Sequence, residues 1–164
     1  MSQTAGQLAT ETLEPERLLE RAPSEVVSAL EALLEEGEQE LIRVDSDFTA
    51  ELKYGRRWVV VTSRRALVLS VVGDLMADVD IEDLAVTRAD SLVGGSQLTM
   101  ERKAAPTIRV AYSSTEAVKF TEVARGLEQL RKGEEFHIRT SLDRIRCDRC
   151  GRLLPEKNGL CPAC

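Results

Sequence analysis

Four cysteines lie at the C-terminal end of the sequence, and their spacing is typical of a metal site. Cys147 and Cys150 form one C-x-x-C pair, and Cys161 and Cys164 form a second. Zn²⁺ takes four thiolates in a tetrahedron, and two residues between paired cysteines let one tight turn present both sulfurs. Residues 157–160 contain Asn-Gly, a hairpin turn that would fold the second pair back onto the first. The pattern predicts one structural Zn²⁺ bound by all four cysteines.

Redox dithiols or free thiols are the alternatives at these positions, because a single C-x-x-C is ambiguous, whereas two at this spacing favour zinc. Four thiolates leave a zinc site anionic, and five nearby cations would offset that charge: Arg144, Arg146, Arg149, Arg152 and Lys157. With no coordination position left for water, we expect a closed structural site and no catalysis at the metal.

The remaining candidate residues give weaker signals. The single histidine, His137, lies in a charged segment without a partner motif, so we expect a surface residue rather than a ligand or a general base. Five basic residues near two predicted turns could make a weak anionic-lipid contact, although solvated turns are the alternative. They are Lys53, Arg56, Arg57, Arg64 and Arg65. No catalytic triad, carboxylate pair or phosphate-binding loop stands out, so we expect no enzyme.

Charge is distributed unevenly along the 164 residues. Residues 1–48 carry 12 acidic and 3 basic side chains, and residues 49–164 carry 16 and 19, giving −9 and +3. That excess of positive charge is far below the basic stripe of a nucleic-acid-binding protein. The N-terminal residues lack a signal-peptide pattern, and the apolar runs are too short to span a bilayer. We therefore expect a reducing, cytoplasmic location and no nucleic-acid partner.

Hydrophobic periodicity predicts two helices around a β-rich centre. The first is expected to begin with Ser24 as N-cap and to end at Gly37, and the second to begin with a Ser113–Glu116 capping box and to end at Gly133. Seven strands are predicted between them, and the short turns that join them favour an antiparallel meander. The runs are Leu41–Phe48, Arg57–Thr62, Ala66–Val72, Leu75–Ile81, Leu84–Ala89, Gln97–Arg102 and Ile108–Tyr112.

The predicted organisation has four parts. Residues 1–22 read as a flexible acidic arm, 23–133 as one α+β domain, 134–146 as a charged linker and 147–164 as a zinc ribbon.

Seven meandering strands closed by a C-terminal amphipathic helix are the plan of a pleckstrin-homology-like (PH-like) barrel, a two-sheet sandwich whose open corner the helix fills. The stretch "GRRWVVVTSRRALVLS" (residues 55–70) resembles the second and third strands of bacterial PH-like domains. An acidic helix, this barrel, "SLVGGSQL", "VKFTEVARGLEQLRKGE" and "RCDRCGRLLPEKNGLCPAC" follow one another. That order resembles the N-terminal cytosolic region of a family of bacterial ABC exporters with fused permease and ATPase.

The resemblance implies a place at the inner face of the membrane. Its implied partners are transporter domains, C-terminal to this region or in trans, with homodimerisation through them. The chain lacks both a Gly-x-x-x-x-Gly-Lys-Ser/Thr loop and a membrane helix, so neither ATP hydrolysis nor transport is assigned to it. Because the chain stops at the fourth cysteine, we expect a fragment or a truncated member of that architecture.

The sequence therefore predicts a non-catalytic interaction or regulatory module with a structural zinc site. Two alternatives stay open: a zinc ribbon that binds nucleic acid, and a thiol oxidoreductase.

Overall fold

Seven antiparallel strands between two helices make up most of the fold. The computed structural model describes residues 17–49, 51, 53–138, 145–146, 149 and 153–154. The elements in chain order are β1 (Leu18–Leu19), α1 (Ser24–Leu33), β2 (Glu40–Phe48), β3 (Tyr54–Thr62), β4 (Arg65–Ser70), β5 (Leu75–Asp80), a 3₁₀ turn (Ile81–Asp83), β6 (Leu84–Leu92), β7 (Gly95–Arg102), β8 (Ile108–Tyr112), a 3₁₀ turn (Ser114–Glu116), α2 (Ala117–Arg131), β9 (Ile145–Arg146) and β10 (Leu153–Leu154). The α+β class and the seven central strands are confirmed.

The strands form separate sheets rather than a closed barrel. One sheet has five strands in the order β1-β2-β3-β4-β5, and a second has three in the order β6-β7-β8. Neighbours from β2 to β5 and from β6 to β8 are antiparallel, as the short turns predicted. Within the described residues no strand pairing joins the two sheets, so of the predicted barrel or sandwich the structure shows two sheets and a C-terminal helix, and no closed barrel. The 3₁₀ turn after β5 redirects the chain into the second sheet instead.

The main core lies where the two sheets and α2 meet. It contains Val44, Val59 and Val68 from the first sheet and Leu98, Met100 and Val110 from the second. From α2 it receives Phe120, Val123 and Leu127, all fully buried. The Phe120 ring stacks on that of Tyr112 with 4.2 Å between centroids. Helix α2 therefore joins the sheets by burying its apolar face against both.

A second core forms on the other face of the five-stranded sheet. Val26 and Leu30 of α1 pack there with Trp58, Val60, Leu67 and Leu69. The β4–β5 turn approaches this helix closely at Gly73, which has φ +88°, and a Cβ there would lie 2.7 Å from the carbonyl oxygen of Glu25. The predicted amphipathic helix is confirmed, although it ends at Leu33, before the turn at Gly37.

Neither predicted N-cap makes a side-chain capping bond, and only Ser113 lies at an N-cap position. Pro23 is the residue that precedes α1, and the Ser24 hydroxyl hydrogen-bonds the carboxylate of Glu25 instead of a helix N–H. Ser113 precedes the 3₁₀ turn that leads into α2, and its hydroxyl and its N–H both donate to Asp47 at the end of β2. In a capping box the Glu116 side chain would accept that N–H, and here Asp47 accepts it instead.

The C-terminal end of α2 follows the prediction. Gly133 has φ +69°, its N–H bonds the Leu130 carbonyl at 3.0 Å, and the Glu134 N–H bonds the Gln129 carbonyl at 2.9 Å. These two bonds form a Schellman motif, in which glycine accepts the left-handed conformation without a steric penalty.

The folded unit extends beyond the boundaries predicted at 23 and 133. Leu18 and Leu19, within the predicted flexible arm, pair in parallel with Ile42 and Arg43 of β2. Phe136 and Ile138, within the predicted linker, pack against the main core. In the described part of the chain, neither helix is long and apolar enough to cross a bilayer.

Candidate functional site

The predicted metal ligands Cys147, Cys150, Cys161 and Cys164 lie outside the described residues. Two short strands flank the first pair in the chain. β9 and β10 are antiparallel, with Arg146 opposite Leu153 and Ile145 opposite Leu154. Arg149, between the first two cysteines, is in a turn and exposed. Among residues 17–138, which the structure describes almost without a gap, no group of three or more His, Cys, Asp or Glu could hold a metal.

His137 is exposed, as predicted. Its backbone rather than its imidazole makes the contacts in this region: its carbonyl accepts a hydrogen bond from Arg125 at 2.6 Å, and its N–H donates to Gln129 at 3.1 Å. These bonds attach the start of the predicted linker to α2.

The five basic residues of the predicted lipid contact do not form one cluster. Lys53, Arg56 and Arg57 lie at the β2–β3 end of the sheet, whereas Arg64 and Arg65 lie at the β3–β4 turn. A strand rises about 3.3 Å per residue, so the five residue steps from Arg57 to Thr62 separate the two groups by at least about 16 Å along β3. Arg56 also pairs with Asp45 at 3.5 Å. Only the first three residues could face one membrane surface together.

Arg65 forms a partly buried structural bridge, with a side chain 12% exposed. Its Nε and Nη2 bind both carboxylate oxygens of Glu38 at 3.0 and 3.1 Å. Nη2 also donates to the Leu33 carbonyl at the end of α1, at 2.5 Å, and Nη1 contacts Asp78 of β5 at 2.7 Å. The arginine therefore ties α1 and its following loop to β4 and β5, with a cation at the negative end of the helix.

Glu38 is the anionic partner of this bridge, and its carboxylate is fully buried. Burial alone would raise the pKa of Glu38, but hydrogen bonds from Arg65, the Glu35 N–H and the Thr62 hydroxyl outweigh it and lower the pKa to about 2. The Thr62 bond is 2.5 Å long. The carboxylate is thus ionised at every physiological pH.

A second polar cluster, which we call the Lys119 cluster, joins β1, β2 and α2. The Lys119 ammonium contacts Asp45 at 3.0 Å, Glu20 at 3.1 Å and Glu116 at 2.5 Å. Burial lowers the pKa of Lys119, but the bonds to Glu116 and Asp45 raise that pKa by more than burial lowers it, so the net shift is upward. Burial raises the pKa of Glu20. Sequence reasoning missed this cluster, because no periodicity relates residue 20 to residue 119.

An apolar surface surrounds the β6–β7 turn. Gly94 has φ +86° in the two-residue turn that joins β6 to β7. Leu92 is 55% exposed, and Val93 is completely exposed. A shallow cavity of about 310 Å³ beside this turn is lined by Gln97, Arg109 and Ala111. Arg109 is the one ionisable side chain among the described residues that line it, so they offer no acid–base pair for catalysis.

The described residues therefore form structural ion pairs and an exposed apolar surface at the β6–β7 turn. Comparison with known proteins adds no family: the chain matches no protein-family model and no curated protein.

Proposed function

We propose that this chain is a non-catalytic interaction module, in which a PH-like domain is followed by a structural four-cysteine zinc ribbon. The observation that carries the domain assignment is the strand arrangement. Strands β2 to β5 and β6 to β8 form a four-plus-three meander, and α2 packs in the core between the sheets, as expected for a PH-like sandwich. In this view two elements are additions to the domain: α1 covers the outer face of the first sheet, and β1 covers the edge of β2.

The zinc ribbon is supported by the position of β9 and β10. Antiparallel pairing of residues 145–146 with 153–154 brings together the two chain segments that flank Cys147 and Cys150. A tight connection between paired strands is the usual setting of a C-x-x-C zinc ligand pair. The second pair, Cys161 and Cys164, would complete the tetrahedron.

We further propose that the module works in the cytoplasm at the inner face of the membrane, attached to or assembled with an ABC exporter. Transporter domains would be its partners, and a homodimer would form through them. Lys53, Arg56 and Arg57 could add a weak contact with anionic lipid, because they share one end of the sheet. Arg64 and Arg65 are left out of this proposal, since Arg65 is partly buried in its bridge.

Metal analysis of the purified chain tests the zinc site. We expect one zinc ion per chain in the wild type and none in Cys147→Ser/Cys161→Ser. The matched control is His137→Ala, which should keep its zinc. Trp58, the single tryptophan, is buried under α1 and reports the melting of the main domain. That melting should persist in the double variant, because the described residues from 18 to 138 supply both cores.

Three results would contradict the proposal. Zinc retained by the double variant would place the ligands elsewhere. Metal-free thiols that exchange with glutathione would favour an oxidoreductase. A salt-dependent mobility shift with DNA or RNA would favour a nucleic-acid-binding ribbon.

A further inference from the structure

Strand β1 occupies the edge of β2 as a short added strand. Leu18 and Leu19 pair in parallel with Ile42 and Arg43. The pairing continues at Glu20, whose N–H donates to the Arg43 carbonyl at 2.8 Å. The Arg43 side chain then donates from Nε to the Glu20 carbonyl at 2.9 Å. Both backbone polar groups of Glu20 are therefore bound by one residue of β2.

The β2 edge also contacts side chains of the added strand. Leu18 packs against the main core, whereas Leu19 points outward and is 39% exposed. The Glu20 carboxylate accepts the backbone N–H of Asp45 at 2.8 Å and contacts the Lys119 ammonium at 3.1 and 3.3 Å. Alternate residues of an extended segment thus meet an apolar surface and a polar one, as in peptides that bind a sheet edge.

The acceptor surface is built without help from β1. Lys119 is held in place by Asp45 and Glu116 as well as by Glu20. Arg43 is paired with Glu40, and Asp45 with Arg56 of β3. These are the charged groups that β2, β3 and α2 place around the Glu20 carboxylate. The site would therefore keep its shape when the added strand leaves.

We propose that the β2 edge, with Arg43 and Lys119, is a binding site for an extended acidic peptide of the pattern aliphatic–any–Glu. Residues 18–20 occupy this site in cis. A partner segment of the same pattern would bind by displacing them. Because a tethered segment competes at an effective concentration on the order of millimolar, a free peptide should bind the wild-type chain poorly.

The test uses a synthetic peptide of residues 14–22 and the full chain, with binding followed by NMR at the amides of Ile42 to Asp45. In the chain variant Leu18→Ser/Glu20→Ala the cis segment is weakened, and we expect the peptide to bind at least tenfold more tightly than to the wild type. A peptide carrying the same two substitutions should not bind. Adding Lys119→Met to the chain variant should weaken binding, whereas Lys132→Met, at an exposed lysine, should leave it unchanged.

Equal binding of the peptide to the wild type and the variant, or binding of the substituted peptide, would overturn the proposal. Failure of the peptide to bind the folded variant would also overturn it. If the variant does not fold, hydrogen exchange in the wild type tests the proposal instead. The Asp45 N–H should exchange at least tenfold faster than the amides of β3, and excess peptide should slow it. An Asp45 amide as protected as those of β3 would show that β1 does not detach.

Discussion

Glu38 is a carboxylate with no solvent contact, and one guanidinium balances its charge. Replacing Arg65 would leave the Glu38 carboxylate buried without a cation, and replacing Glu38 would leave Arg65 with Asp78 alone. Breaking such a buried pair costs about 3 kcal/mol or more. The pair also joins α1 to the sheet, because Arg65 binds the Leu33 carbonyl at the end of that helix. Its contribution is therefore both energetic and architectural.

The Glu38→Gln variant tests this role through its pH dependence. The pKa of Glu38 is about 2 in the folded chain and 4.5 in a model peptide, so its stabilisation is present above pH 4.5 and is lost as the pH falls toward 2. We expect the variant to be about 3 kcal/mol less stable at pH 7 and to lose less stability than the wild type between pH 4.5 and 3. Urea unfolding followed by Trp58 fluorescence measures both.

Glu31→Gln, at an exposed position on α1, is the control and should follow the wild type at each pH. Parallel pH profiles for the wild type and Glu38→Gln would contradict the role of the Arg65–Glu38 bridge.

The structural role of a single polar residue is what sequence patterns predict least well. The basic character of Arg65 suggests a lipid contact. Its side chain instead forms ion pairs with Glu38, which is 27 positions away in the sequence, and with Asp78, which is 13 positions away. Ser113 shows the same limit, because its local capping pattern is present but Asp47, 66 positions away, takes its hydroxyl. The spacing of residues along the sequence does not show whether a side chain will bind a nearby residue or one that is distant in the sequence.

At the scale of elements, the segment after α2 packs onto that helix at a glycine. A Cβ added at Gly126 would lie 2.8 Å from Cε2 of Phe136 and 3.2 Å from Cδ1 of Ile42. The absence of a side chain in the middle of the helix therefore lets Phe136 reach the core. This contact explains why the folded unit continues past the Schellman motif.

The Gly126→Ala variant separates packing from helix propensity. On an exposed helix the change would stabilise by about 1 kcal/mol. Here we expect a loss of about 1 kcal/mol or more, because the methyl group displaces Phe136. Thermal unfolding of Gly126→Ala, Phe136→Ala and the double variant measures the coupling. The alanine should be tolerated better once Phe136 is removed. A stabilised Gly126→Ala in the wild-type background would show that the contact is unimportant.

The elements themselves were largely predictable, for physical reasons. Continuous apolar runs such as Val59–Val61 and Leu67–Leu69 are buried on both faces, since α1 covers one side of the sheet and α2 the other. The predicted strand ends were less accurate. The sequence predicts a strand that begins at Arg57, but the β2–β3 ladder extends to a Phe48–Tyr54 pair, whose rings meet edge to face with centroids 5.3 Å apart. Cross-strand contacts of this sort extend a hairpin beyond its local propensity.

At the scale of the whole molecule, we propose a packed domain followed by a small metal-dependent unit. Helix α2 and the two cores make the domain independent of the cysteines, whereas β9 and β10, two residues each, have too little pairing to be stable alone. A bound metal would supply the missing stability. The two sheets were expected only from the resemblance to a PH-like plan, because strand periodicity alone does not specify which neighbouring strands leave a common sheet.

X-ray absorption spectroscopy at the zinc edge, on the chain purified with its metal, tests the proposed zinc site most directly. We predict four sulfur scatterers at about 2.3 Å and no lighter ligand, because all four cysteines close the site. Nitrogen or oxygen scatterers at about 2.0–2.1 Å would indicate a mixed or open site and would contradict the assignment of a closed structural centre.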